Sequence, residues 1–150
     1  MRLCRHLGGV IGLCLSTGLL AQTLPVPTPD PDPALRAALV SAVSEAESFP
    51  HRFDAEVWLL DMSARLERFV PEDEARFELL RLVHAEAQRA RLAPELVLAV
   101  IDVESRFDRF AISSAGALGL MQVMPRTARQ FGFDDPHDPE QGVAAGSAYL

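Results

Sequence analysis

The sequence predicts an all-α protein with at most one short extended element, near residues 119–124. Three observations lead there. Apolar side chains recur at three- and four-residue spacing through successive segments, the mark of helices with one buried face. Prolines fall between those segments or at positions that open a helix, as Pro71 and Pro94 do. Gly116 and Gly119 punctuate the stretch ISSAGALGLMQVMP, which cannot be regular helix throughout. With 150 residues, 49% hydrophobic and 23% charged, the chain supplies one globular domain.

Residues 1–21 read as a secretory signal peptide. Arg2 and Arg5 give a positive start, Leu7 to Ala21 is mostly apolar, and Ala21 offers a small residue at the cut. The alternative is an uncleaved anchor, which would bring contact with a membrane. The stretch is short and glycine-rich for a bilayer span. Both cysteines, Cys4 and Cys14, lie inside it, so a mature chain has no disulfide, thiol nucleophile or thiolate zinc site. Loss of Arg2 and Arg5 also leaves the protein two units more negative than the −7 of the full chain. Such an acidic exported protein is a poor partner for nucleic acid. Residues 22–33 hold LPVPTPDPDP, with proline at every second position from Pro25, and are expected to form an extended, semi-rigid spacer.

Beyond the spacer, residues 34–70 form an N-terminal helical region. Ala34 to Glu47 is rich in helix formers, and Asp54 is placed to cap a second helix bearing Trp58, Met62, Leu66 and Phe69 on one face. After Pro71, the acids Glu72, Asp73 and Glu74 suit the positive end of a third helix that runs to about Arg91 and buries Phe77, Leu80, Val83 and Ala87. Pro94 opens a fourth helix, PELVLAVIDVESRF. A short helix is expected near Thr127, a loop over FGFDDPHDPEQG, and the opening turns of another helix from Val143 to Leu150.

The fourth helix carries the chemistry. At about 100° per residue, Val97, Val100 and Ile101 lie within about 60° of Glu104, while Glu95 and Asp102 fall about 160° or more away. Glu104 is thus a carboxyl set on an apolar stripe. Burial there is expected to raise its pKa and so to give an acid that donates a proton and later recovers one. The plainer alternative is a residue at the edge of the stripe that turns to solvent, or pairs with Arg106 or Arg109.

The neighbours of Glu104 form a dense signature. Glu104-Ser105, Ala111-x-Ser113, Gly116-Ala117-x-Gly119-Leu120-Met121-Gln122 and Met124-Pro125 follow within about 22 residues. Here the sequence resembles the soluble lytic transglycosylase family, whose catalytic domain is lysozyme-like. The likeness extends more loosely from Leu92-Ala93-Pro94 to Gly146-x-x-Tyr149-Leu150. It implies a partial lysozyme-like transglycosylase domain over residues 71–150. It also implies that Glu104 is the single catalytic acid–base, that Ser113 orients that carboxyl or the substrate, and that Gln122 and Met124 line the sugar groove. Ser105, Gly116 and Gly119 are supporting residues, although Ser105 could equally be a local cap and the glycines belong to an ordinary loop. The implied substrate is the glycan strand of peptidoglycan, cut between N-acetylmuramic acid and N-acetylglucosamine to a 1,6-anhydro product without water, in the periplasm or cell envelope.

No cofactor or metal is expected. His51, His84 and His137 are scattered, with no HExxH pattern and no cysteine partner. No Gly-x-Ser-x-Gly elbow supports a serine esterase. Asp108, Asp134, Asp135 and Asp138 read as solvated acids rather than as a second catalytic carboxylate. Two departures from the family stand out. Gly142 occupies a place where asparagine is usual, and the Ala-Tyr-Asn-Ala-Gly motif expected downstream is absent, so the domain reads as incomplete. Val143, Tyr149 and Leu150 are then expected to lie exposed. The alternatives to an enzyme are a wall-binding module that holds glycan without cutting it, and an inactive fragment.

Overall fold

In a computed structural model that describes residues 32–150, six α-helices occur among the described residues. The expected signal peptide, and the spacer up to residue 31, lie outside the described residues. Helix α1 (Pro33–Ser44) starts where proline at the first position meets an Asp32 carboxylate that accepts from Ala34 N–H at 2.9 Å. Helix α2 (Arg52–Leu66) follows His51, which gives no side-chain cap. Asp54 lies in its first turn, so it complements the helix dipole instead of capping as expected. Helix α3 (Asp73–Ala90) and helix α4 (Pro94–Ser105) fall where the periodicity and Pro94 placed them.

The remaining helices are α5 (Pro125–Gln130) and α6 (Pro139–Tyr149). Helix α6 begins four residues before Val143, inside the expected loop. Asp138 and Pro139 explain the earlier start: the Asp138 carboxylate accepts from Gln141 N–H at 3.0 Å, and proline occupies the first position. The extended element expected near 119–124 reduces to two isolated antiparallel bridges, Ile112 with Leu118 and Leu118 with Val123. The all-α class therefore holds.

Residues 32–150 lie in one compact unit, and α3 is its axis. It packs against α1, α2, α4 and α6. Phe77, Leu80, Val83 and Ala87 of α3 are all buried, as their spacing predicted, against Leu59 of α2, Val97 and Ile101 of α4, and Val143 of α6. Val143 is thus a core residue and not the exposed one expected, because α6 lays that side chain against α3. Tyr149 and Leu150 are exposed.

Two buried polar side chains fasten the core. Arg76 donates to Ser63 Oγ at 2.8 Å, to the Val70 and Pro71 carbonyls at 2.7 and 2.9 Å, and to Asp73, so that one guanidinium ties α2 and the α2–α3 connection to α3. His84 stacks on Phe49 at 3.5 Å, meets the edge of Trp58 at 5.1 Å and shares a 2.7 Å hydrogen bond with Ser48 Oγ. Trp58 in turn donates to Glu95 at 2.7 Å, which joins α2 to α4. No helix among the described residues is long and apolar enough to cross a membrane.

Candidate functional site

Glu104 occupies the last turn of α4, and it is exposed rather than buried. The wheel shows why the expectation of burial fails. Val97, Ile101 and Leu98 are the buried residues of the helix barrel, and their arc centres about 70° from Glu104. Val100 is half-buried, while Leu96 and Val103 lie in solvent, with Val103 83% exposed. The apolar stripe is wider than the arc the core covers, and Glu104 sits where cover stops. Among the described residues its carboxylate makes neither a hydrogen bond nor an ion pair, so it pairs with neither Arg106 nor Arg109.

The chain after Glu104 turns abruptly. Arg106 caps α4 at φ 51°, and Phe107 follows at φ 65°, two consecutive non-glycine residues in the left-handed region. Phe107 is compensated by burial and by contact with Phe69, ring centres 5.0 Å apart. Ser105 donates to the Ile101 carbonyl at 3.1 Å, a local hydrogen bond in the last turn of α4.

The glycine-rich segment is a loop held by its own polar groups. Ser113 Oγ accepts from Ala117 N–H at 2.9 Å, and Ser113 N–H donates to the Ala117 carbonyl at 3.0 Å. Ser113 therefore holds the turn and forms no hydrogen bond with Glu104. Gln122, at φ 48°, donates its amide to the carbonyls of Ala111 at 3.1 Å and Gly119 at 3.0 Å. Both amide hydrogens are used inside the loop, which leaves Oε1 as the group able to meet a ligand. Met124 is half-buried at the N-cap of α5.

The glycines divide in their physical reasons. Gly116, at φ 86°, has open space where a Cβ would be, so it is needed for its backbone angle alone. Gly119, at φ 70°, would also drive a Cβ into the Pro136 carbonyl, and Gly142 presses on that same carbonyl from α6. An asparagine side chain at position 142 has no room here, and the cap of α6 comes from Asp138. Sequence reasoning missed this pinch, because nothing in the chain marks Pro136 as its third member. Among the described residues no group of three or more histidine, cysteine, aspartate or glutamate side chains gathers to hold a metal.

Residues 81–150 match the family model for the transglycosylase SLT domain, a span that includes all of α4, the loop, α5 and α6. The likeness to that family covers just under half of the chain. Among curated relatives, a membrane-bound lytic murein transglycosylase C of Actinobacillus pleuropneumoniae is 40% identical over 84 residues, which is 49% of this chain and 23% of the relative. A membrane-bound lytic murein transglycosylase F of Maricaulis maris is 40% identical over 84 residues, 55% of this chain and 18% of the relative. The transglycosylase of Enterobacteria phage PRD1 is 38% identical over 68 residues, 45% of this chain and 26% of the relative. The chain spans about a quarter or less of the length of these relatives. No solved structure matches it.

Proposed function

We propose that the chain carries the catalytic segment of a lytic transglycosylase acting on peptidoglycan in the cell envelope, with Glu104 as its acid–base. The observation that carries this reading is the SLT match over residues 81–150, which contains Glu104 at the end of α4 and the loop with Ser113, Gln122 and Met124 beside it in sequence. The glutamic acid gives its proton to the glycosidic oxygen between N-acetylmuramic acid and N-acetylglucosamine as that bond breaks. The sugar's own acetamido group stabilises the cationic carbon. The glutamate then takes the proton of the 6-hydroxyl, whose oxygen closes on that carbon to give the 1,6-anhydro ring. No water is consumed, and the intramolecular nucleophile gains from proximity. A glycan strand lying over half-buried Val100 and exposed Leu96 and Val103 supplies the desolvation that the free protein does not give Glu104. Ser113, Gln122 and the glycines act by holding the loop that borders the strand.

A second reading, a wall-binding module that does not cut, draws support from the Glu104 carboxylate having no partner to orient it. Mass spectrometry of digested peptidoglycan separates the two. Anhydro-muropeptides are expected from the native chain and are expected to fall by at least about 100-fold with Glu104→Gln. A folded protein that binds wall polymer without releasing them would establish the binding module instead.

A further inference from the structure

A cleft opens beside the end of α4, and Glu104 is not part of its lining. Its volume is about 600 Å³, and its lining is Arg68 and Phe69 from the α2–α3 connection with Asp102, Val103 and Arg106 from the end of α4. The chain is acidic, and Arg65, Arg76, Arg81 and Arg89 each pair with a carboxylate. Arg52, Arg91, Arg109, Arg126 and Arg129 form no ion pair among the described residues, and neither do Arg68 and Arg106. Arg68 and Arg106 line one cleft together with Asp102, yet no ion pair joins either to it among the described residues. Arg68 lies over the Phe69 ring at 4.5 Å, which fixes its guanidinium against an apolar wall.

Arg106 ends α4 in the left-handed region. Its backbone is left-handed at φ 51°, where glycine would sit at lower cost. Phe107, its left-handed neighbour, has a buried ring to offset that cost, whereas the Arg106 side chain is exposed and unpaired. Arg91 ends α3 with the same left-handed backbone and is likewise exposed, and at α4 the arginine also brings a guanidinium to the cleft.

We infer that the cleft of Arg68, Phe69 and Arg106 binds a carboxylate on a peptide branch of the wall polymer, so that the enzyme favours glycan that carries peptides. This rests on the peptidoglycan reading above and names a feature of its substrate. Two guanidinium groups with free donors fit a carboxylate in geometry and charge. Asp102 lies about 160° round the helix from Glu104, so the cleft is about a helix diameter, ~10 Å, from the sugar being cut. A carboxylate on the sugar itself cannot reach that far. One at the end of about three extended residues can.

The test measures binding separately from cleavage, using the Glu104→Gln protein and fluorescent glycan strands in three forms: with peptide branches, stripped of them by an amidase, and with the branch carboxylates amidated. Strands with free carboxylates are expected to bind more tightly than the other two forms. Arg68→Gln and Arg106→Gln are each expected to weaken that binding about three- to fivefold and to leave stripped strands unaffected. Asp102→Asn is expected to tighten it by relieving repulsion, and all three effects should fade as salt rises. Arg106→Gly, which suits the left-handed backbone, must weaken binding as Arg106→Gln does even though it folds at least as well. Equal affinity for the three forms, or arginine variants without effect, overturns the inference. Release of anhydro products from stripped glycan by the native protein is read independently, so loss of the peptide preference leaves the catalytic assignment intact.

Discussion

Pro136 offers its carbonyl to two glycines, and that contact sets a sharp expectation at the level of single residues. Gly119 needs both its positive φ and the absence of a Cβ, whereas Gly116 needs only the angle. Gly119→Ala is therefore expected to cost about 2–4 kcal/mol, since a backbone carbonyl cannot move aside as a flexible side chain can. Gly116→Ala should cost about 1 kcal/mol. Urea unfolding of the two variants measures the difference, and equal losses would remove the steric argument. Arg76 is the other residue on which much depends. Its replacement by alanine leaves Ser63 and the carbonyls of Val70 and Pro71 without their donor in a buried place, with an expected loss of about 3–5 kcal/mol. Thermal or urea unfolding would reveal it, and a loss under 1 kcal/mol would mean that water reaches the α2–α3 connection.

Helix ends show which parts of the fold could be read from sequence. The buried faces of α3 and α4 were legible because Phe77, Leu80, Val83, Ala87, Val97 and Ile101 repeat at helical spacing and the core covers them all. Glu104 lies on the same stripe and is exposed, because a hydrophobic pattern says which side chains avoid water and not which neighbour arrives to cover them. The start of α6 was also there to be read in Asp138-Pro139, but acids and prolines in a row resemble a loop until one carboxylate is seen to cap. Asp138→Ala tests that cap. Loss of the bond to Gln141 N–H is expected to cost about 1 kcal/mol and to raise amide exchange in the first turn of α6 before the rest of the helix. In the site, the glutamate and the loop glycines were legible as a signature. The left-handed Arg106, Phe107 and Gln122 were not, since no residue type there announces a positive φ.

The molecule as a whole is held by a histidine that joins three helices and a connection. His84 of α3 packs on Phe49 from the α1–α2 connection and on Trp58 from α2, and Trp58 reaches Glu95 of α4. Burial pushes the His84 pKa below the ordinary histidine value, and the charge of Glu95 opposes that shift without cancelling it. The folded protein therefore prefers a neutral ring, while the unfolded chain takes up a proton at about pH 6.5. The stability this contributes is complete above about pH 6.5 and is lost as pH falls towards the folded value, because there the unfolded state binds more protons. Glu86, on the same helix, runs the other way. Burial raises its pKa, Arg89 opposes the shift and Glu140 adds to it, so its contribution is full below about pH 4.5 and fades as pH rises through the folded value. Replacing each group isolates its slope. His84→Phe keeps a ring against Phe49 and removes the titration, so the decline in stability below pH 6.5 should flatten in urea unfolding across a pH series. Glu86→Gln should leave that decline in place while removing the opposing loss above pH 4.5. If His84→Phe kept the native slope below pH 6.5, the proton would have to be taken up elsewhere, and the packing of Ser48, Phe49 and Trp58 around His84 would not be what couples the N-terminal helices to pH.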